Sequence, residues 1–528
     1  MKLTGLNFIG NKLSGEGKEL FNAINPENNK GLETDFHEAT EKEINDAIVK
    51  AENAFVEYSK KNGKEKAIFL ETIADEILNL GDEVIERCHQ ETGLPPGRLT
   101  GERVRTVNQL KMFAELLKEG SWVDARIETV IPDRQPVRKP DIRSMLKPLG
   151  PVGIFGASNF PFAFSVAGGD TVSALAAGCT IVVKAHPAHP GTCELIANAI
   201  KSAVQKTNMP DGTFSMLHGR SNKVGMGIVN HPLIKAIGFT GSFKGGKAIY
   251  DAAVRRPVPI PVYAEMGSTN PVFILPNALR ERKEEIAKEL TASVTLGAGQ
   301  FCTNPGLVFY EESEDAKKFR DGIAKNFGMV ESQTMLTESI NKAYRSGIEN
   351  MKRRNAINLL AEGKTSGAAL EGVAYLMHTG SENFINDDEL ENEIFGPSTL
   401  NITASSKSEL IKAAQKLKGH LTVTLHGTEE DLKENADLIS LLERKAGRLI
   451  INGFPTGVEV CHSMVHGGPF PATTDSRTTS VGTLAINRFV RPVSYQNFPD
   501  EFLPDELKNK NPLGIWRLVN GERKITRV

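Results

Sequence analysis

A cysteine on a glycine-rich turn is the first feature of the sequence that can do covalent chemistry. The run Gly297-Ala-Gly-Gln-Phe-Cys302-Thr leaves the backbone around the Cys302 sulfur open to close approach. Such a turn suits a nucleophile whose own amide must contact a developing oxyanion. The run follows a predicted helix rather than a strand, so it does not predict a dinucleotide fingerprint. The remaining cysteines are predicted to be buried and inert: Cys88, Cys179, Cys193 and Cys461.

Two further polar side chains follow predicted strands. Glu265 ends the strand 261–264, where a carboxylate can act as a general base. Asn159 follows the strand 152–155, and its amide can donate a hydrogen bond to an oxyanion. A solvated or capping carboxylate and a turn asparagine are the structural alternatives for these two residues.

A glycine-rich turn between a strand and a helix predicts a phosphate site. In Phe239-Thr-Gly-Ser-Phe-Lys-Gly-Gly-Lys-Ala248, Gly241 permits a tight turn. The Ser242 hydroxyl and the amides that follow can then face a phosphate at the helix N-terminus. The run nearly matches the phosphate loop of nucleotide triphosphatases. Ala248, however, lacks the hydroxyl that holds Mg²⁺, which disfavours that class.

Metal and hydrolase chemistry find little support in the sequence. Cys461, His462 and His466 lie close together, but no CxxC or HExxH motif accompanies them, so no metal site is predicted. The run His466-Gly-Gly-Pro469 is similar to an esterase oxyanion motif. Because no GxSxG motif occurs in the chain, an α/β-hydrolase is disfavoured.

Composition narrows the class of protein and of partner. The 528 residues carry 63 basic and 65 acidic side chains, a formal charge of −2 that gives no support to nucleic-acid binding. Hydrophobic residues make up 40%, which is typical of a globular protein with a large core. Five cysteines cannot form a disulfide framework, and the N-terminus has no secretory signal pattern. The apolar stretch 165–183 is too polar for a membrane span, so a cytoplasmic protein without a membrane partner is expected.

Alternating strands and helices organise the chain from Gly150 onward. Predicted strands at 152–155, 180–184, 213–217, 235–239 and 261–264 alternate with helices at 165–177 and 193–204, which indicates a mostly parallel sheet. A second α/β run begins near Asn270, with strands near 272–275, 307–310, 420–425 and 448–451 and a helix near 284–296. Upstream, Thr40-Glu-Lys-Glu43 is a capping box that predicts a helix start.

The order of these motifs resembles that of the aldehyde dehydrogenase superfamily. Asn159, Lys184, Phe239-Thr-Gly-Ser242, Glu265-Met-Gly267, Gly299-Gln-Phe-Cys302 and Glu393-Ile-Phe-Gly-Pro397 follow one another as in that family, and the resemblance covers about residues 20–495. It implies an α/β fold with two Rossmann-like domains and a small β oligomerisation extension. It also implies an enzyme that oxidises an aldehyde to a carboxylate with NAD(P)⁺ through a cysteine thiohemiacetal and thioester.

The resemblance also implies a division of the chain. Residues 1–124 and 148–266 correspond to a cofactor-binding domain and residues 267–451 to a catalytic domain. Residues 452–480 return to the cofactor domain and form a substrate-tunnel loop. Residues 125–147 and 481–500 correspond to oligomerisation strands, which implies a homodimer or homotetramer. Residues 501–528 form a C-terminal tail of unassigned role.

Roles follow from the same resemblance, residue by residue. Cys302 is the nucleophile, Glu265 the general base, and Asn159 with the Cys302 amide the oxyanion hole. The cofactor-binding residues are Lys184, His186, Arg220, Gly241, Ser242, Glu393 and Phe395. Phe160, Arg105 and Phe454 are candidates to contact substrate. Arg98, Arg103, Arg105 and Arg477 are all candidates to bind a substrate carboxylate, and the sequence does not choose among them.

Three stretches are most similar to one branch of the superfamily, the 2,5-dioxovalerate (α-ketoglutaric semialdehyde) dehydrogenases. They are 184–191, 452–462 and 466–477. The substrate implied is 2,5-dioxopentanoate, oxidised to 2-oxoglutarate in sugar-acid or hydroxyproline breakdown. The first alternative is a broad-specificity NADP-dependent aliphatic or fatty aldehyde dehydrogenase. A catalytically inactive binding protein is the second, which the presence of Cys302, Glu265 and Asn159 disfavours.

The residue at position 187 indicates which of the two cofactors, NADP⁺ or NAD⁺, is expected. Many NAD-dependent relatives carry a glutamate three residues after the lysine, where it accepts from the adenosine ribose hydroxyls, and here that position is Pro187. Without this carboxylate a 2′-phosphate meets no repulsion. Lys184, His186 and Arg220 can supply positive or donating groups nearby. NADP⁺ is therefore expected as cofactor, with NAD⁺ also accepted.

Overall fold

Two seven-stranded sheets and one five-stranded sheet organise the chain in the computed structural model, which describes residues 2–528. In the first sheet the five strands that follow Gly150 are parallel, and the N-terminal hairpin adds two antiparallel strands. Its strand order is Val262–Glu265, Ala236–Thr240, Val152–Phe155, Ile181–Lys184, Phe214–Leu217, Asn7–Ile9 and Lys12–Ser14.

The second seven-stranded sheet is parallel except for one edge strand. That strand, Asn358–Glu362, runs antiparallel to its neighbour and contains a bulge between Leu359 and Ala361. The strand order is Asn358–Glu362, Tyr375–Gly380, Ser398–Ala404, Leu307–Glu311, Val272–Ile274, His420–His426 and Ala446–Ile451. The predicted α/β class with two mainly parallel sheets is thus confirmed.

The five-stranded sheet joins segments that lie far apart in the chain. Its order is Val490–Gln496, Ile142–Pro148, Arg126–Glu128, Arg517–Val519 and Glu522–Lys524. The C-terminal tail therefore supplies two strands to the β extension. Three short pairs complete the β-structure: Leu20–Phe21 with Phe36–His37, Ile24–Asn25 with Lys30–Gly31, and Gln333–Thr334 with Glu371–Gly372.

Helices cover the sheets. The α-helices are Glu41–Tyr58, Gly63–Asn79, Glu83–Thr92, Pro96–Glu119, Gly169–Ala177, Pro190–Lys206, Asn222–Asn230, Phe243–Val254, Pro276–Thr295, Glu314–Phe327, Glu338–Lys352, Ser381–Asn386, Lys407–Lys416, Glu429–Glu434 and Ala436–Leu442. The 3₁₀ turns are Ser121–Val123, Leu296–Gly299, Asp388–Glu391, Thr483–Phe489, Asp500–Phe502 and Asp505–Leu507. Within residues 2–528, no helix combines the length and the hydrophobicity that a bilayer span needs.

Local sequence explains where the helices begin. The capping box at Thr40 and Glu43 is present and starts the helix Glu41–Tyr58, as predicted. The helix expected from Ser165 begins only at Gly169, because Gly168 lies in extended backbone. A Cβ on Gly168 would approach Phe164 Cα to 2.7 Å, so the chain turns there before the helix starts.

The carboxyl ends of the first sheet's strands share one edge. Thr240 pairs with Glu265, and Lys184 pairs with Phe155, so these strands end level with one another. Asn159 follows Phe155 within four residues. In parallel sheets this edge is where ligands bind.

A buried ion pair joins the 3₁₀ turn Thr483–Phe489 to the helix Gly169–Ala177. Arg488 Nη1 donates to Asp170 Oδ1 at 2.9 Å, and both side chains are almost fully buried. Asp170 lies in the first turn of Gly169–Ala177, and Arg488 lies in the 3₁₀ turn Thr483–Phe489. The pair therefore joins residues near the C-terminus to the first sheet's helical layer.

Arg488→Ala is expected to destabilise the protein by about 3–5 kcal/mol, because it leaves the Asp170 carboxylate buried without its partner. Urea unfolding measures the change. Arg491→Ala, an exposed neighbour on the strand Val490–Gln496, is the matched control and is expected to change stability by less than about 0.5 kcal/mol. Equal effects of the two substitutions would contradict this role for the pair.

Candidate active site

The Cys302 thiol stands at the end of a strained turn. Gly297, Ala298 and Gly299 all have positive φ, at 55°, 55° and 64°. A Cβ on Gly299 would lie 2.3 Å from the Gly396 carbonyl carbon, so glycine is required there. Ala298 adopts this backbone without being glycine, a strain that is typical of functional turns. The turn delivers Cys302 to the wall of a large cavity, where it is half-buried.

Asn159 and Cys302 are brought together as predicted. The Asn159 side-chain amide donates to the carbonyl of Gln300 at 3.0 Å, which leaves its second N–H free. Arg98 Nη2 donates to the Asn159 carbonyl at 2.7 Å and fixes the loop. Within residues 2–528 the Cys302 N–H has no acceptor. Two donors are therefore available beside the sulfur.

Glu265 lies next to the thiol in a buried carboxylate network. The Ser480 hydroxyl donates to Glu265 Oε2 at 2.6 Å, and His466 Nε2 lies 3.1 Å from Oε1. Burial alone would raise the pKa of Glu265, but His466 and Ser480 outweigh it and hold the pKa below its ordinary value. Glu265 is therefore ionised at neutral pH.

His466 is a site residue that the sequence analysis missed. Its Nε2 lies 3.5 Å from Cys302 Sγ, so one nitrogen contacts both the thiol and the carboxylate. The residue had been considered only as a zinc ligand or as part of an esterase motif. Its backbone is fixed by Thr479, whose Oγ1 accepts from His466 N–H at 2.8 Å, and by Ser480, whose N–H donates to His466 O at 2.8 Å. The signal available in the sequence was the His-Gly-Gly run itself.

The resting sulfur is a thiol rather than a thiolate. Burial and then the negative charge of Glu265 raise the pKa of Cys302 well above its ordinary value, and the Arg105 guanidinium opposes them. Arg448, on the strand Ala446–Ile451, is a second cation whose charge interacts with Cys302. Nucleophilic attack therefore needs a proton acceptor, which the ionised Glu265 carboxylate beside the thiol can provide.

Ser268 begins a set of hydrogen bonds that reaches the loop carrying Cys302. Its hydroxyl lies 3.1 Å from both Asn270 Oδ1, to which it donates, and Leu421 N, from which it accepts. Asn270 Nδ2 in turn donates to the carbonyls of Cys302 at 2.8 Å and Asn304 at 2.9 Å. Ser268 thus helps to hold the loop that carries the thiol.

The cavity beside Cys302 has the size and the polar groups for a dinucleotide. Its volume is about 1760 Å³, well above the 300–1,000 Å³ of most small-molecule sites. Cationic groups, a helix N-terminus and a carboxylate all line it. The predicted cofactor-binding residues that line it are Lys184, His186, Arg220, Gly241, Ser242, Glu393 and Phe395.

Ser242 caps the helix Phe243–Val254 at one side of the cavity. Its hydroxyl accepts from Gly245 N–H at 3.2 Å, while other amides of the first turn stay open toward the cavity. A Cβ on Gly241 would lie 2.7 Å from the Phe239 ring, which explains the glycine. This arrangement fits a phosphate group.

Lys184, His186 and Arg220 differ in charge. Burial lowers the pKa of Lys184 to about 8. Burial also lowers the pKa of His186 well below its ordinary value, with the charges of His189 and Lys184 adding to the effect, so His186 is neutral. The exposed Arg220 donates its N–H to Glu38 Oε2 at 2.9 Å. Glu38 also accepts from Ser221, so its carboxylate is occupied by protein donors.

Glu393 faces the cavity close to the catalytic group. Ser268 N–H donates to its Oε1 at 3.4 Å, and a Cβ on Gly267 would lie 1.9 Å from its Oε2. Glycine at 267 therefore makes room for this carboxylate. The side chain is exposed to this cavity, and partial loss of solvation by the surrounding walls raises the pKa of Glu393 to about 7.

A cluster of aromatic rings and two arginines lies near Cys302, outside the lining of the large cavity. Phe160 packs edge-to-face against Phe164 and Phe301, with ring centroids 5.5 Å apart in both pairs. The Arg98 guanidinium lies 5.2 Å from the Phe160 ring centroid, and the Arg105 guanidinium lies 5.2 Å from that of Phe164. The structure thus places Phe160 and Arg105 near the thiol.

Other substrate candidates lie elsewhere. Phe454 packs against the His426 ring, with ring centroids 4.7 Å apart; like Phe160 and Arg105 it does not line the large cavity, and its contact with substrate stays a prediction. Arg477 is exposed and pairs with Asp475. Arg103 donates to the Gly81 carbonyl, away from the site. Arg98, Arg103 and Arg105 each have at least one buried nitrogen without a hydrogen-bond partner, and the charge of Arg105 acts on Cys302.

The cysteine predictions need one correction. Cys88, Cys179 and Cys193 are buried, as predicted, but Cys461 is half-buried. It lies in the irregular segment 452–480, which contains no helix or strand to cover it. All five cysteines are free.

Comparison with known proteins decides the family. The aldehyde dehydrogenase family profile matches residues 13–470. The chain belongs to the aldehyde dehydrogenase family. It is 45% identical to alpha-ketoglutaric semialdehyde dehydrogenase 2 of Azospirillum brasilense, covering 99% of this chain and 100% of that protein. It is 46% identical to alpha-ketoglutaric semialdehyde dehydrogenase of Acinetobacter baylyi, covering 92% of each.

Solved structures confirm the aldehyde dehydrogenase fold. Betaine aldehyde dehydrogenase of Staphylococcus aureus, solved with NAD⁺, matches with a TM-score of 0.80 at 18% identity, covering 94% of this chain and 96% of that one. A 1-pyrroline-5-carboxylate dehydrogenase matches with a TM-score of 0.77 at 19% identity, covering 93% and 92%.

The raised pKa of Glu393 predicts a pH-dependent stability change. An unfolded glutamate ionises near pH 4.3, whereas folded Glu393 ionises near pH 7. Stability from this group is present below the lower value and is lost as pH rises through 7. Glu393→Gln is therefore expected to raise the melting temperature relative to wild type more at pH 8 than at pH 5. Exposed Glu382→Gln is the control, and a difference independent of pH would contradict the prediction.

Proposed function

We propose that this protein oxidises an aldehyde to a carboxylate with NAD(P)⁺ through a thioester on Cys302. The observation that carries this proposal is the convergence of Cys302, Asn159 and Glu265 on one cavity that also fits a dinucleotide. Family membership supports it. Residues 1–124 and 148–266 then hold the cofactor, and residues 267–451 supply the thiol.

Cys302 begins the reaction by adding to the aldehyde carbon. The Glu265 carboxylate accepts the thiol proton as the carbon–sulfur bond forms and passes it to solvent, since the thiol is protonated at rest. Asn159 and the Cys302 N–H donate to the thiohemiacetal oxyanion, and one such donor is typically worth about 3 kcal/mol. NAD(P)⁺, when bound, supplies the hydride acceptor.

Glu265 completes the reaction on the thioester. As an ionised carboxylate beside Cys302, it accepts a proton from the attacking water. Ser480 holds one carboxylate oxygen, so the other stays directed at the site. Hydrolysis releases the acid and returns the thiol.

Cys302→Ala is expected to abolish aldehyde oxidation while leaving cofactor binding nearly intact, because the sulfur forms the covalent bond but does not hold the dinucleotide. Steady-state formation of NADPH with aldehyde measures activity, and fluorescence quenching measures cofactor binding. Cys193→Ser, which removes a buried thiol elsewhere, is the control. Normal turnover by Cys302→Ala would contradict the proposed function.

The substrate we propose is α-ketoglutaric semialdehyde, as the names of the two bacterial relatives support. Its far end is a 2-oxo acid, which needs a cation on the substrate side of the thiol. Arg105 provides one, with buried donors that have no protein acceptor. A buried cation left without a partner is costly, so an anionic substrate group would satisfy it.

Arg105→Gln is expected to lower kcat/KM for α-ketoglutaric semialdehyde by about tenfold or more relative to an uncharged aliphatic aldehyde, since a hydrogen bond to a charged group is worth about 1.5–3 kcal/mol. Arg103→Gln, on the same helix but bonded to Gly81, is the matched control. Equal losses for both aldehydes would contradict carboxylate binding by Arg105. Wild-type preference for the aliphatic aldehyde would instead support the broad-specificity alternative.

We also propose that NADP⁺ is preferred over NAD⁺. Pro187 lines the cavity near Lys184 and Arg220 and carries no charge. The nearby Glu38 is occupied by Arg220 and Ser221 N–H donors and does not line the cavity. A 2′-phosphate would therefore meet cations without a free opposing carboxylate.

Pro187→Glu is expected to lower the ratio of kcat/KM for NADP⁺ to that for NAD⁺ by about tenfold or more, because a like charge beside the 2′-phosphate is repulsive. Steady-state kinetics with both cofactors measures the ratio. Pro187→Ala is the control that removes the ring without adding charge. A strong NAD⁺ preference in the wild type would contradict the proposal.

The β extension is proposed to pair subunits in a homodimer or homotetramer. Its strand Val490–Gln496 lies at a sheet edge and is largely exposed. Unpaired edge strands are ready sites for pairing with another chain. We further propose a cytoplasmic location, which five free cysteines support.

A further inference from the structure

We propose that Glu265, His466 and Cys302 together bind Zn²⁺ or a similar thiophilic divalent cation, which reversibly blocks the thiol. One carboxylate oxygen, one imidazole nitrogen and one sulfur all lie within 4.8 Å of one another. These are the ligand types that zinc prefers. The proposal concerns binding to the chain itself and does not depend on which aldehyde is oxidised.

The spacing of the three atoms approaches the edges of a zinc tetrahedron. With zinc–ligand distances of about 2.3 Å to sulfur and about 2.0–2.2 Å to nitrogen and oxygen, tetrahedral angles place sulfur and nitrogen about 3.6 Å apart and nitrogen and oxygen about 3.4 Å apart. Cys302 Sγ lies 3.5 Å from His466 Nε2, which lies 3.1 Å from Glu265 Oε1. The sulfur and the Glu265 oxygen lie no more than 4.8 Å apart.

The ligand atom on Glu265 is buried, and its polar neighbour is the second proposed ligand. Oε1 lies 3.1 Å from His466 Nε2, and the Glu265 side chain is 1% exposed. Its other oxygen is already fixed by Ser480. A cation bound by Oε1, the His466 nitrogen and the Cys302 sulfur would therefore take no protein partner away from Glu265 other than a residue that also binds the cation.

The groups around the three proposed ligands determine how strongly the site would bind zinc. Cys302 opens onto the cavity, so water can occupy the fourth position, as in zinc sites with three protein ligands. Binding converts the thiol to a thiolate and releases one proton to solvent, and the thiolate and carboxylate then neutralise the cation. Arg105 and Arg448 oppose a cation, and His466 Nδ1 has no hydrogen-bond partner to support it. Binding is therefore expected to be weaker than at a structural zinc site, and reversible by chelators.

Titration of metal-free protein with ZnCl₂ against a chromophoric indicator tests the proposal without aldehyde or cofactor. We expect one Zn²⁺ per chain, bound reversibly, protection of Cys302 from alkylation, and binding weakened about tenfold or more in Cys302→Ala and His466→Asn. Cys461→Ser, which removes the other half-buried thiol beside His462, is the matched control and is expected to bind Zn²⁺ normally.

A second probe guards against variants that lose metal through misfolding. Co²⁺ bound to wild-type protein is expected to show thiolate-to-metal charge-transfer absorption that is absent from Cys302→Ala but present in Cys461→Ser. Zinc binding that is lost in Cys461→Ser but kept in Cys302→Ala would overturn the proposal, as would no binding to wild type. Failure of aldehyde turnover with intact zinc binding would overturn only the proposed function.

Discussion

One imidazole nitrogen connects the reactive groups of this protein. His466 Nε2 lies 3.5 Å from the Cys302 sulfur and 3.1 Å from a Glu265 oxygen. Without it, a buried carboxylate would face a buried thiol, and each would make ionisation of the other harder. The contact with His466 keeps the Glu265 carboxylate ionised, so that the carboxylate can accept the thiol proton.

The fold supports this contact from three separate segments. Glu265 ends the edge strand Val262–Glu265 of the first sheet, and Cys302 follows a strained turn that precedes the strand Leu307–Glu311 of the second sheet. His466 arrives on an irregular segment that bonds along the Glu265 strand, where Met266 N–H donates to Ala472 O at 2.8 Å. Arg488 and Asp170 hold the chain that follows. Small displacements of any segment would separate the three groups.

Much of this arrangement could be predicted from the sequence. The alternation of strand and helix patterns, together with the turn residues between them, predicted the parallel strands after Gly150. The capping box at Thr40 predicted the start of the helix Glu41–Tyr58. The ordered motifs predicted that Cys302, Asn159 and Glu265 would meet. Such signals are local, or lie in motifs whose order along the chain carries the information.

The rest depended on tertiary contacts that no local pattern encodes. The strands Tyr375–Gly380 and Arg517–Val519 were missed, and one partner of the second, Arg126–Glu128, lies far upstream in the sequence. His466 was set aside because its neighbours in sequence did not form a metal motif, whereas its partners in space come from 164 and 201 residues upstream. Phe454 packs on the His426 ring, and its contact with substrate stays a prediction.

The most direct test is intact-mass and peptide-mass measurement of Glu265→Gln protein quenched soon after mixing with NADP⁺ and aldehyde. Slowed hydrolysis should let the thioester accumulate. A covalent bond between substrate and Cys302 predicts an acyl group on the peptide that contains this residue and on no other. Formation of NADPH with no acyl group on Cys302, or with the acyl group elsewhere, would contradict it.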